Sequence, residues 1–476
     1  MKKLLIFLII IAFLASVGCG VYLYLDATGY IDTLVLQLQS LFDGGILPPT
    51  DDGDTTPPTN GEPAQPTPQP PSEPQTPIVP SGPGYDENGT LVAPDEALYA
   101  LLYDAATSFT EEVDIAHLEY TPNELEEEIS RFFFAHPDLF YVDNGYSVYT
   151  AEGQSVVRRI RLRYLTTQAE AQEQLTYYND VLEEVVADIP ANATEFDKVL
   201  YLHDYLVRNY AYDYEGLAEE NATGESVAVR DVYQFFKGKV GGCQAYMLAM
   251  IALCEEAGIS CLPVTSDEMS HAWNLVELDG EWYHVDVTWD DAGGESSAVY
   301  PSYVSYKYFL LSGEALYESG RTAHWQTSES ANSEKYDDAL WHRATTSLCK
   351  KGEEYLCVLY DAQTASTKLY CGTPVAMEVL ATVNTKWYSG PHSYYQESWA
   401  SVFVWNARIL VSTASGFLYY DAQASELSVA VDLSASLGKK QIFGVCDVAD
   451  DGTVTYVAAL DYKGAFELRT WQADEP

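Results

Sequence analysis

Three residues between positions 243 and 286 have the side chains that thiol acyl transfer requires: Cys243, His271 and Asp286. Cys243 follows two glycines and begins an apolar run that predicts a buried helix ending at Gly258. In the first turn of such a helix, the helix dipole favours thiolate over thiol, and unpaired backbone N–H groups can stabilise an oxyanion. A cysteine alone is more often a small core residue, so the interpretation depends on the histidine and the aspartate.

A predicted β-hairpin brings the histidine and the aspartate together. Asp279-Gly280 is a strong turn signal between two β-prone runs. Counting outward from this turn makes His271 and Asp286 diagonal neighbours on one face of the sheet. Trp273 and Thr288 are expected on the same face. A carboxylate so placed can orient an imidazole, provided that this face lies against the start of the cysteine's helix.

The motifs around these residues resemble those of the transglutaminase-like superfamily, in the form common in exported bacterial proteins. The resemblance covers residues 197–325 directly, and the region from residue 94 is also like the segment that often precedes this domain. The matching pieces, in chain order, are His203-Asp204-Tyr205-Leu206 with Tyr212-Asp213, Gly242-Cys243-Gln244, His271-Ala272-Trp273-Asn274, Trp282-Tyr283-His284-Val285-Asp286 with Thr288-Trp289-Asp290, and Tyr308-Phe309-Leu310-Leu311-Ser312 with His324-Trp325. Several spaced motifs in this order are more specific than any single one. Gly241 and Ala245 depart from the family's usual pattern, but neither departure removes a member of the triad.

The resemblance implies a papain-like core in which Cys243 is the nucleophile, His271 is the base and acid, and Asp286 orients the histidine. The thiol would attack a glutamine carboxamide or a peptide carbonyl, and an amine or water would resolve the thioester. The expected partners are therefore a protein or peptide substrate and primary amines. The family's second oxyanion donor is a side chain upstream of the cysteine, for which Gln234 is our candidate. No cofactor and no metal are expected.

Competing assignments for the same residues are weaker. A zinc site would use cysteines and a histidine that lack the short paired spacing of zinc ligands: Cys243, Cys254, Cys261 and His271. A calcium site would use an acidic run without regular loop spacing: Asp286, Asp290, Asp291 and Glu295. His203 and His284 are interpreted as packed core histidines rather than catalytic ones. Trp273 and Trp289 fit a cleft wall and ordinary core packing about equally well.

The composition limits the partners of the whole chain. Its 476 residues carry 71 Asp and Glu against 25 Lys and Arg, a formal net charge of -46, which argues against nucleic acid as a ligand. Residues 4–25 form an uncharged run after two lysines, long enough to anchor the chain in a membrane with its bulk outside the cytoplasm. The alternatives are a lipid-modified Cys19 and a cleaved signal peptide. All three interpretations predict export.

The predicted fold class is α+β, with a papain-like, transglutaminase-like core, a preceding α+β segment and a C-terminal all-β domain. The expected divisions are residues 1–25 as a membrane anchor or signal, 26–84 as a juxtamembrane segment and a linker rich in proline and threonine, 85–190 as the α+β region, 191–330 as the catalytic domain, and 339–476 as a β-rich accessory domain that could be built from repeats. The proline-rich stretch over residues 48–83 cannot bury a core, so it should separate the folded part from the membrane.

Local signals predict individual elements of the α+β region. Thr121 and Glu124 fit a capping box that starts a helix. Two aromatic strands are predicted over residues 140–149 and 156–164, joined by a turn at Glu152-Gly153. Four arginines of the second strand are expected to face acids or solvent: Arg158, Arg159, Arg161 and Arg163.

The C-terminal region has the pattern of short alternating strands with turns. The sequence Tyr-Asp-Ala-Gln occurs at residues 360–363 and again at 420–423, which indicates repeated meander units. Attachment to cell-envelope components and plain structural support are both compatible with such a domain. Two disulfides fit an exported chain, with buried free thiols as the alternative: Cys349 with Cys357, and Cys254 with Cys261.

Two functions remain open on the sequence alone. The first is an exported thiol acyl-transfer enzyme, either a transglutaminase that uses an amine or a peptidase that uses water. The alternative is a catalytically retired fold that serves as a cell-surface binding or adhesion module. This alternative predicts that the triad is not assembled or that the cleft is blocked.

Overall fold

The computed structural model describes residues 95–150, 155–223, 230–291, 301–321, 323–390, 392–462 and 464–474. All of them belong to one unit, Pro77–Pro476. The predicted anchor over residues 1–25, the linker over 26–84 and the Glu152-Gly153 turn lie outside the described residues. Within the described ranges, no helix is both long enough and apolar enough to span a membrane.

A small α+β region precedes the predicted catalytic residues. Its elements, in chain order, are α1 Glu96–Thr107, β1 Glu112–Asp114, α2 Pro122–Ala135, β2 Val142–Thr150, β3 Val157–Tyr164 and α3 Gln168–Ala187. The strands form one antiparallel sheet in the order β1-β3-β2. Helix α2 begins with the predicted capping box, because the Thr121 hydroxyl accepts from the Glu124 N–H and the Glu124 carboxylate accepts from the Thr121 N–H.

The arginine-rich strand β3 is paired with acids, as predicted. Three ion pairs with N···O distances of 2.6 Å cover its outer face: Arg159–Glu112, Arg161–Glu111 and Arg163–Asp143. These charges are neutralised within the protein and are exposed to solvent. The strand therefore presents a solvated, acid-paired surface and not an anion-binding site.

A buried helix and a four-stranded antiparallel sheet form the core that carries the predicted site. The elements, in chain order, are α4 Glu195–Asn209, β4 Ala211–Tyr212, α5 Tyr214–Thr223, α6 Val232–Gly238, β5 Val240–Gly241, α7 Cys243–Glu256, β6 Cys261–Ser266, β7 His271–Leu278, β8 Glu281–Val285, α8 Val287–Asp290, β9 Phe309–Leu311 and α9 Gly313–Glu318. The sheet order is β6-β7-β8-β9, and α7 packs against β6 and β7.

Helix α7 is buried on every side, as predicted. All residues from 245 to 254 are buried, and Gly258, at φ +72°, terminates the segment in a left-handed conformation that other residues rarely adopt. Each fully buried apolar side chain contributes about 1.5–3 kcal/mol, so packing holds this helix in place far more strongly than intrinsic propensity does. The N-terminus of α7 is therefore a rigid position for a reactive side chain.

The hairpin of β7 and β8 has the predicted register over most of its length. Leu278 lies opposite Glu281, and Asn274 lies opposite Val285. The pairing ends there because Asp286 caps α8: its carboxylate accepts a hydrogen bond from the Trp289 N–H at 3.1 Å. The expectation that Thr288 continues the strand was therefore wrong.

The C-terminal region consists of antiparallel sheets. Its strands, in chain order, are β10 Cys349–Lys351, β11 Glu354–Asp361, β12 Ser366–Thr373, β13 Ala376–Val383, β14 Tyr388–Gly390, β15 Ser393–Tyr394, β16 Val402–Trp405, β17 Arg408–Ser412, β18 Gly416–Asp421, β19 Glu426–Asp432, β20 Gln441–Val448, β21 Thr453–Ala459 and β22 Phe466–Gln472, with a short helix α10 Ser434–Leu437. β10 to β13, β16 to β19, and β20 to β22 form three meanders in sequential order.

The repeated Tyr-Asp-Ala-Gln sequence has the same structural role in two of these meanders. Asp361 ends β11 and accepts a hydrogen bond from the Gln363 N–H at 2.9 Å. Asp421 ends β18 and accepts from the Gln423 N–H at 2.8 Å. Both carboxylates thus stabilise the turn into the next strand, as short acidic side chains commonly do. The repeat encodes a turn and carries no ligand-binding chemistry of its own.

The first C-terminal meander packs on helix α4 of the core. Asp197, which caps α4 together with Thr194, also accepts hydrogen bonds from Lys350 Nζ at 2.6 Å and from the Tyr355 hydroxyl at 2.5 Å. Tyr355 is buried in the same hydrophobic cluster as α7. The β-rich region therefore shares a core with the helices that carry the predicted site.

The register of β10 and β11 excludes one suggested disulfide. Cys349 lies opposite Leu356, so Cys357, the next residue of β11, points to the other face of the sheet. Cys254 and Cys261 lie close enough to hydrogen-bond through their sulfurs. All cysteines among the described residues are free thiols.

Candidate active site

The three predicted side chains come from three different elements that converge on one point. Cys243 is the first residue of α7, His271 is the first residue of β7, and Asp286 follows the last residue of β8. The glycine before the N-cap is required by packing, since a Cβ at Gly241 would lie 2.6 Å from Cδ2 of Phe235. Close approach of this segment to α6 thus fixes where the cysteine begins the helix.

The histidine and the aspartate form a short, buried hydrogen bond. Nε2 of His271 donates to Oδ2 of Asp286 at 2.7 Å, and the two residues are only 9% and 3% exposed. The other oxygen, Oδ1, accepts from the Trp289 N–H at 3.1 Å. Helix α8 therefore fixes the carboxylate, and the carboxylate in turn fixes the tautomer and orientation of the imidazole.

The cysteine and the histidine shift each other's ionisation. The Cys243 thiol interacts with the His271 ring, whose Nδ1 is the nitrogen that Asp286 leaves unoccupied. Burial raises the pKa of Cys243, but the hydrogen bond and charge of His271 lower it more, so the net pKa lies below its ordinary value. Burial lowers the pKa of His271, but Asp286 and Cys243 raise it to about 9. These opposite shifts favour a thiolate–imidazolium pair at neutral pH.

Comparison with known proteins places these residues in a family. A model of the transglutaminase-like superfamily matches residues 183–287, a range that contains Cys243, His271 and Asp286. This chain carries a transglutaminase-like domain. The kyphoscoliosis peptidases of Mus musculus and Homo sapiens are each 22% identical to it over 182 residues, 34% of this chain. The chain spans only 27% of the length of these curated relatives.

Similarity to a solved structure is also found. A crystal structure of a TGase is 16% identical to this chain, with a TM-score of 0.20. The match covers 36% of this chain and 48% of the TGase chain.

Two tryptophans flank the His271 imidazole. The His271 ring stacks on Trp273 at 5.5 Å and on Trp289 at 4.8 Å between ring centres. Electron-rich faces so placed favour the protonated imidazole and exclude water from it. Trp273 is 2% exposed and packs in the core, whereas Trp289 is partly exposed. Core packing is therefore confirmed for Trp273, whereas a cleft wall at Trp289 stays a prediction.

His284 positions one of these tryptophans and does not hydrogen-bond the triad. Its Nδ1 accepts a hydrogen bond from Nε1 of Trp273 at 3.1 Å. Burial lowers the pKa of His284 to about 3, so its imidazole stays neutral and remains an acceptor. The prediction of a packed core histidine is confirmed, and the packing supports Trp273 against the His271 ring.

His203 is the centre of a second buried histidine–aspartate cluster. Its Nδ1 lies 3.2 Å from Oδ1 of Asp204 and its Nε2 lies 3.3 Å from Oδ2 of Asp290. Burial lowers the pKa of His203, but the hydrogen bonds to the two carboxylates raise it to about 9. The prediction of a satisfied core histidine is confirmed. Because Asp290 belongs to α8, this cluster also anchors the helix that Asp286 caps.

The structure does not bring Gln234 to the triad. Its side chain is exposed on α6 and, among the described residues, makes no hydrogen bond. Tyr212 lies closer, because β4 pairs in parallel with β5 and puts Tyr212 opposite Gly241, two residues before Cys243. Burial and the charge of the Cys243 thiolate raise the pKa of Tyr212 to about 12, so its hydroxyl remains a donor. The family motif containing Tyr212 was the signal available in the sequence.

Two other features do not form part of this site. Among the described residues, no group of three or more His, Cys, Asp or Glu side chains has the arrangement of metal ligands. A cavity of about 950 Å³ lies between α4 and the C-terminal sheets, lined by residues such as Tyr201, Tyr205 and Phe403, and no member of the triad lines it. Chemistry, and not cavity size, therefore locates the candidate active site.

Proposed function

We propose that this protein is a thiol acyl-transfer enzyme that forms a thioester between Cys243 and the acyl group of a glutamine carboxamide or a peptide bond. The observation that carries the proposal is the 2.7 Å hydrogen bond between His271 and Asp286 beside Cys243, whose thiol interacts with the His271 ring at the N-terminus of a buried helix. The retired-fold alternative required these side chains to be apart or the cleft to be blocked. Their assembled geometry supports the enzyme.

The first half of the reaction uses the ion pair that the site favours. The thiol proton of Cys243 moves to Nδ1 of His271, and the thiolate attacks the carbonyl carbon of the acyl donor. Backbone N–H groups in the first turn of α7 stabilise the oxyanion, and we assign the Tyr212 hydroxyl as the second donor. Collapse of the tetrahedral intermediate breaks the C–N bond. The departing ammonia or amine takes the proton from the imidazolium.

The second half returns the enzyme to its starting state. His271 takes a proton from an acceptor amine or from water as that nucleophile attacks the thioester carbon. The oxyanion forms again and collapses, and the Cys243 thiolate leaves. An amine gives a cross-linked or substituted amide, and water gives a carboxylic acid. Asp286 keeps the imidazole in one orientation throughout, so the same ring serves both halves.

The setting of this reaction is proposed from the sequence. The uncharged run over residues 4–25 and the linker over 26–84 support a membrane-anchored chain whose folded part acts outside the cytoplasm. The C-terminal meanders support contacts with the cell envelope in such a location. Fractionation of cells that express the tagged full-length chain, followed by protease treatment of intact cells, tests this placement. Protection of the folded part from the protease would contradict it.

The activity is tested directly with a glutamine-containing peptide and a labelled primary amine. We expect the full-length chain, purified in detergent, to release ammonia and to form the amine adduct, the hydrolysed peptide or both, as measured by mass spectrometry. Cys243→Ala should abolish every product. Cys371→Ala is the matched control, because Cys371 lies in β12, away from the triad. Equal product yields in wild type and Cys243→Ala would remove the proposed nucleophile.

A further inference from the structure

A partly buried arginine lies next to the triad, beyond one aromatic ring. The guanidinium of Arg321 lies against the face of Trp289 and 4.7 Å from the ring centre of Tyr308. Trp289 itself stacks on His271 with 4.8 Å between ring centres. A positive charge therefore lies beside Trp289, the ring that also stacks on the His271 imidazole.

This arginine has no anionic partner of its own. Among the described residues, Arg321 makes no ion pair and no hydrogen bond, although the chain has 71 acidic residues against 25 basic ones. Burial lowers the pKa of Arg321 to about 10, so the group is still charged at neutral pH. The nearest acids are already engaged, because Asp286 binds His271 and Asp290 binds His203. Asp286 and Asp290 attract the guanidinium without forming an ion pair with it, so part of the desolvation cost remains, and an incoming anion in direct contact would reduce that cost.

No described group accepts a hydrogen bond from the Arg321 guanidinium. Its five N–H donors lie in the plane of the group and can present an edge to a ligand. A carboxylate is the ligand that fits this edge, since its two oxygens accept two parallel N–H bonds. Tyr308, the second ring beside Arg321, also has the Lys307 ammonium 5.0 Å from its ring centre. Unlike Arg321, Lys307 is exposed to solvent.

We propose that Arg321 is a specificity-determining residue that binds a carboxylate of the acyl donor next to the carbonyl that Cys243 attacks. The inference rests on the proposed function and names its substrate class: peptides with an acidic side chain or a free C-terminal carboxylate near the reacting bond. The net charge of -46 does not oppose this contact decisively. At physiological ionic strength the Debye length is about 8 Å, so distant surface charges are screened while a direct ion pair is not.

A purely structural role predicts a different pattern of effects. If Arg321 only holds Trp289 against His271, its loss should slow every substrate by the same factor. If Arg321 binds substrate, its loss should affect only donors with a carboxylate. The two roles are separated by comparing peptides that differ in one functional group, both for binding and for turnover.

The test uses peptides with blocked termini that contain one glutamine. Each of the two positions before it and the two after it is varied in turn, and at each position a peptide with Asp is compared with the same peptide with Asn. A further peptide carries Asn and a free C-terminal carboxylate. Binding is measured by calorimetry with the full-length chain in detergent at about 0.15 M salt, in a Cys243→Ala background that prevents turnover. Arg321→Met removes the charge, and Lys307→Met is the matched control next to the same tyrosine.

At one or more positions, the carboxylate should tighten binding about tenfold to hundredfold, as expected for a hydrogen bond to a charged group. Arg321→Met should abolish that preference with the Asn peptides bound as before, and Lys307→Met should retain it. In the chain that retains Cys243, Arg321→Met should lower kcat/KM for the acidic peptide alone, by the same factor by which it weakens binding of that peptide. The position, or the free terminus, that shows the effect identifies the source of the carboxylate.

Four results would overturn the proposal: equal binding of Asp and Asn peptides at every position, a uniform loss for all peptides in Arg321→Met, a preference that survives Arg321→Met, or no peptide binding at all. A carboxylate preference that depends on Arg321 in a chain that shows no turnover would uphold the recognition site while the proposed enzymatic activity fails. The failure of one claim is thus distinguishable from the failure of the other.

Discussion

Two buried histidines of this fold are perturbed in the same direction but differ in what their ring nitrogens contact. His271 and His203 both stack on aromatic rings, and in both the pKa is raised to about 9 despite burial. The two nitrogens of His203 face Asp204 and Asp290, which only accept hydrogen bonds, so His203 holds both protons. His271 faces a carboxylate with Nε2 alone, and its ring also interacts with the Cys243 thiol.

The comparison separates a structural cation from a proton carrier. A raised pKa marks both clusters, so the pKa alone does not identify the reactive one. What distinguishes His271 is a second nitrogen available to the thiol of Cys243, the proposed nucleophile, at a partly exposed helix N-terminus. His203 is fully buried, and its charge balances the acids that anchor α8. The following variants should therefore affect mainly chemistry in the His271 cluster and mainly stability in the His203 cluster.

The largest expected effect is the loss of the catalytic base. His271→Ala should lower kcat by about 10⁴-fold or more, because removal of one member of a nucleophile–base pair removes nearly all of its chemistry. Because the loss of His271 leaves the buried Asp286 carboxylate without its partner, the variant should also be less stable, so kcat is calculated for the folded fraction. Product formation and thermal unfolding are measured on the same preparations. Retention of more than about a tenth of the wild-type kcat would assign the base elsewhere.

A slightly smaller effect is expected when the imidazole loses its orienting carboxylate. Asp286→Asn should lower kcat by about 10³- to 10⁴-fold, because an amide can stabilise the wrong tautomer of His271. Asp361→Asn changes a similar acid in a turn of the C-terminal region and serves as the control that should leave kcat unchanged. Comparable kcat values in Asp286→Asn and the control would contradict the orienting role.

The proposed second oxyanion donor should contribute less than the triad. Tyr212→Phe should reduce kcat by about 10²-fold with little change in KM, because the hydroxyl acts on the charge that develops in the transition state. Tyr214, whose ring lies 4.7 Å from that of Tyr212, provides the matched control Tyr214→Phe. If both variants behave alike, Tyr212 packs beside the site without acting in it.

The smallest effect on chemistry, with a large effect on stability, is expected at His203. His203→Ala should lower the free energy of unfolding by about 3–5 kcal/mol, because Asp204 and Asp290 lose the partner that compensates their buried charge. The folded fraction should retain kcat within about tenfold, since the triad itself is intact. Denaturant unfolding and active-site titration separate the two quantities. A kcat loss as large as that of His271→Ala would make the two clusters functionally equivalent.

The His203 contribution should also depend on pH in a defined direction. Its pKa is raised in the folded protein from the ordinary value of 6.5 to about 9. The stabilisation is therefore fully present below about pH 6.5 and is lost as the pH rises through about 9. The difference in unfolding free energy between wild type and His203→Ala should shrink over that interval. A constant difference would indicate that His203 is not charged in the fold.

Local signals in the sequence were sufficient to predict the parts of the site that depend on neighbouring residues. The Asp279-Gly280 turn fixed the hairpin register, which brought His271 and Asp286 together, and the apolar run after Cys243 fixed the buried helix. The predicted register was wrong beyond Val285, where helix capping by Asp286 replaces strand pairing. The Asp286 carboxylate caps α8, so the chain leaves the sheet before Thr288.

Contacts between distant segments could not be predicted in this way. The acids that bind His203 come from its own helix and from α8, and only the tertiary fold shows that both ring nitrogens are occupied. Tyr212 reaches the Cys243 segment through a two-residue parallel pairing, whereas Gln234, which is nearer in sequence, points to solvent. Arg321 approaches the triad through Trp289, a contact that no motif encodes.

The central claim is that His271 makes Cys243 a thiolate at neutral pH, and the rate of Cys243 alkylation against pH tests it most directly. Iodoacetamide labelling of the full-length chain is followed at the Cys243 peptide by mass spectrometry, in wild type and in His271→Ala. We predict a wild-type midpoint below the ordinary thiol value of 9 and an upward shift of that midpoint in His271→Ala. A midpoint at or above 9 that is the same in both proteins would contradict the account.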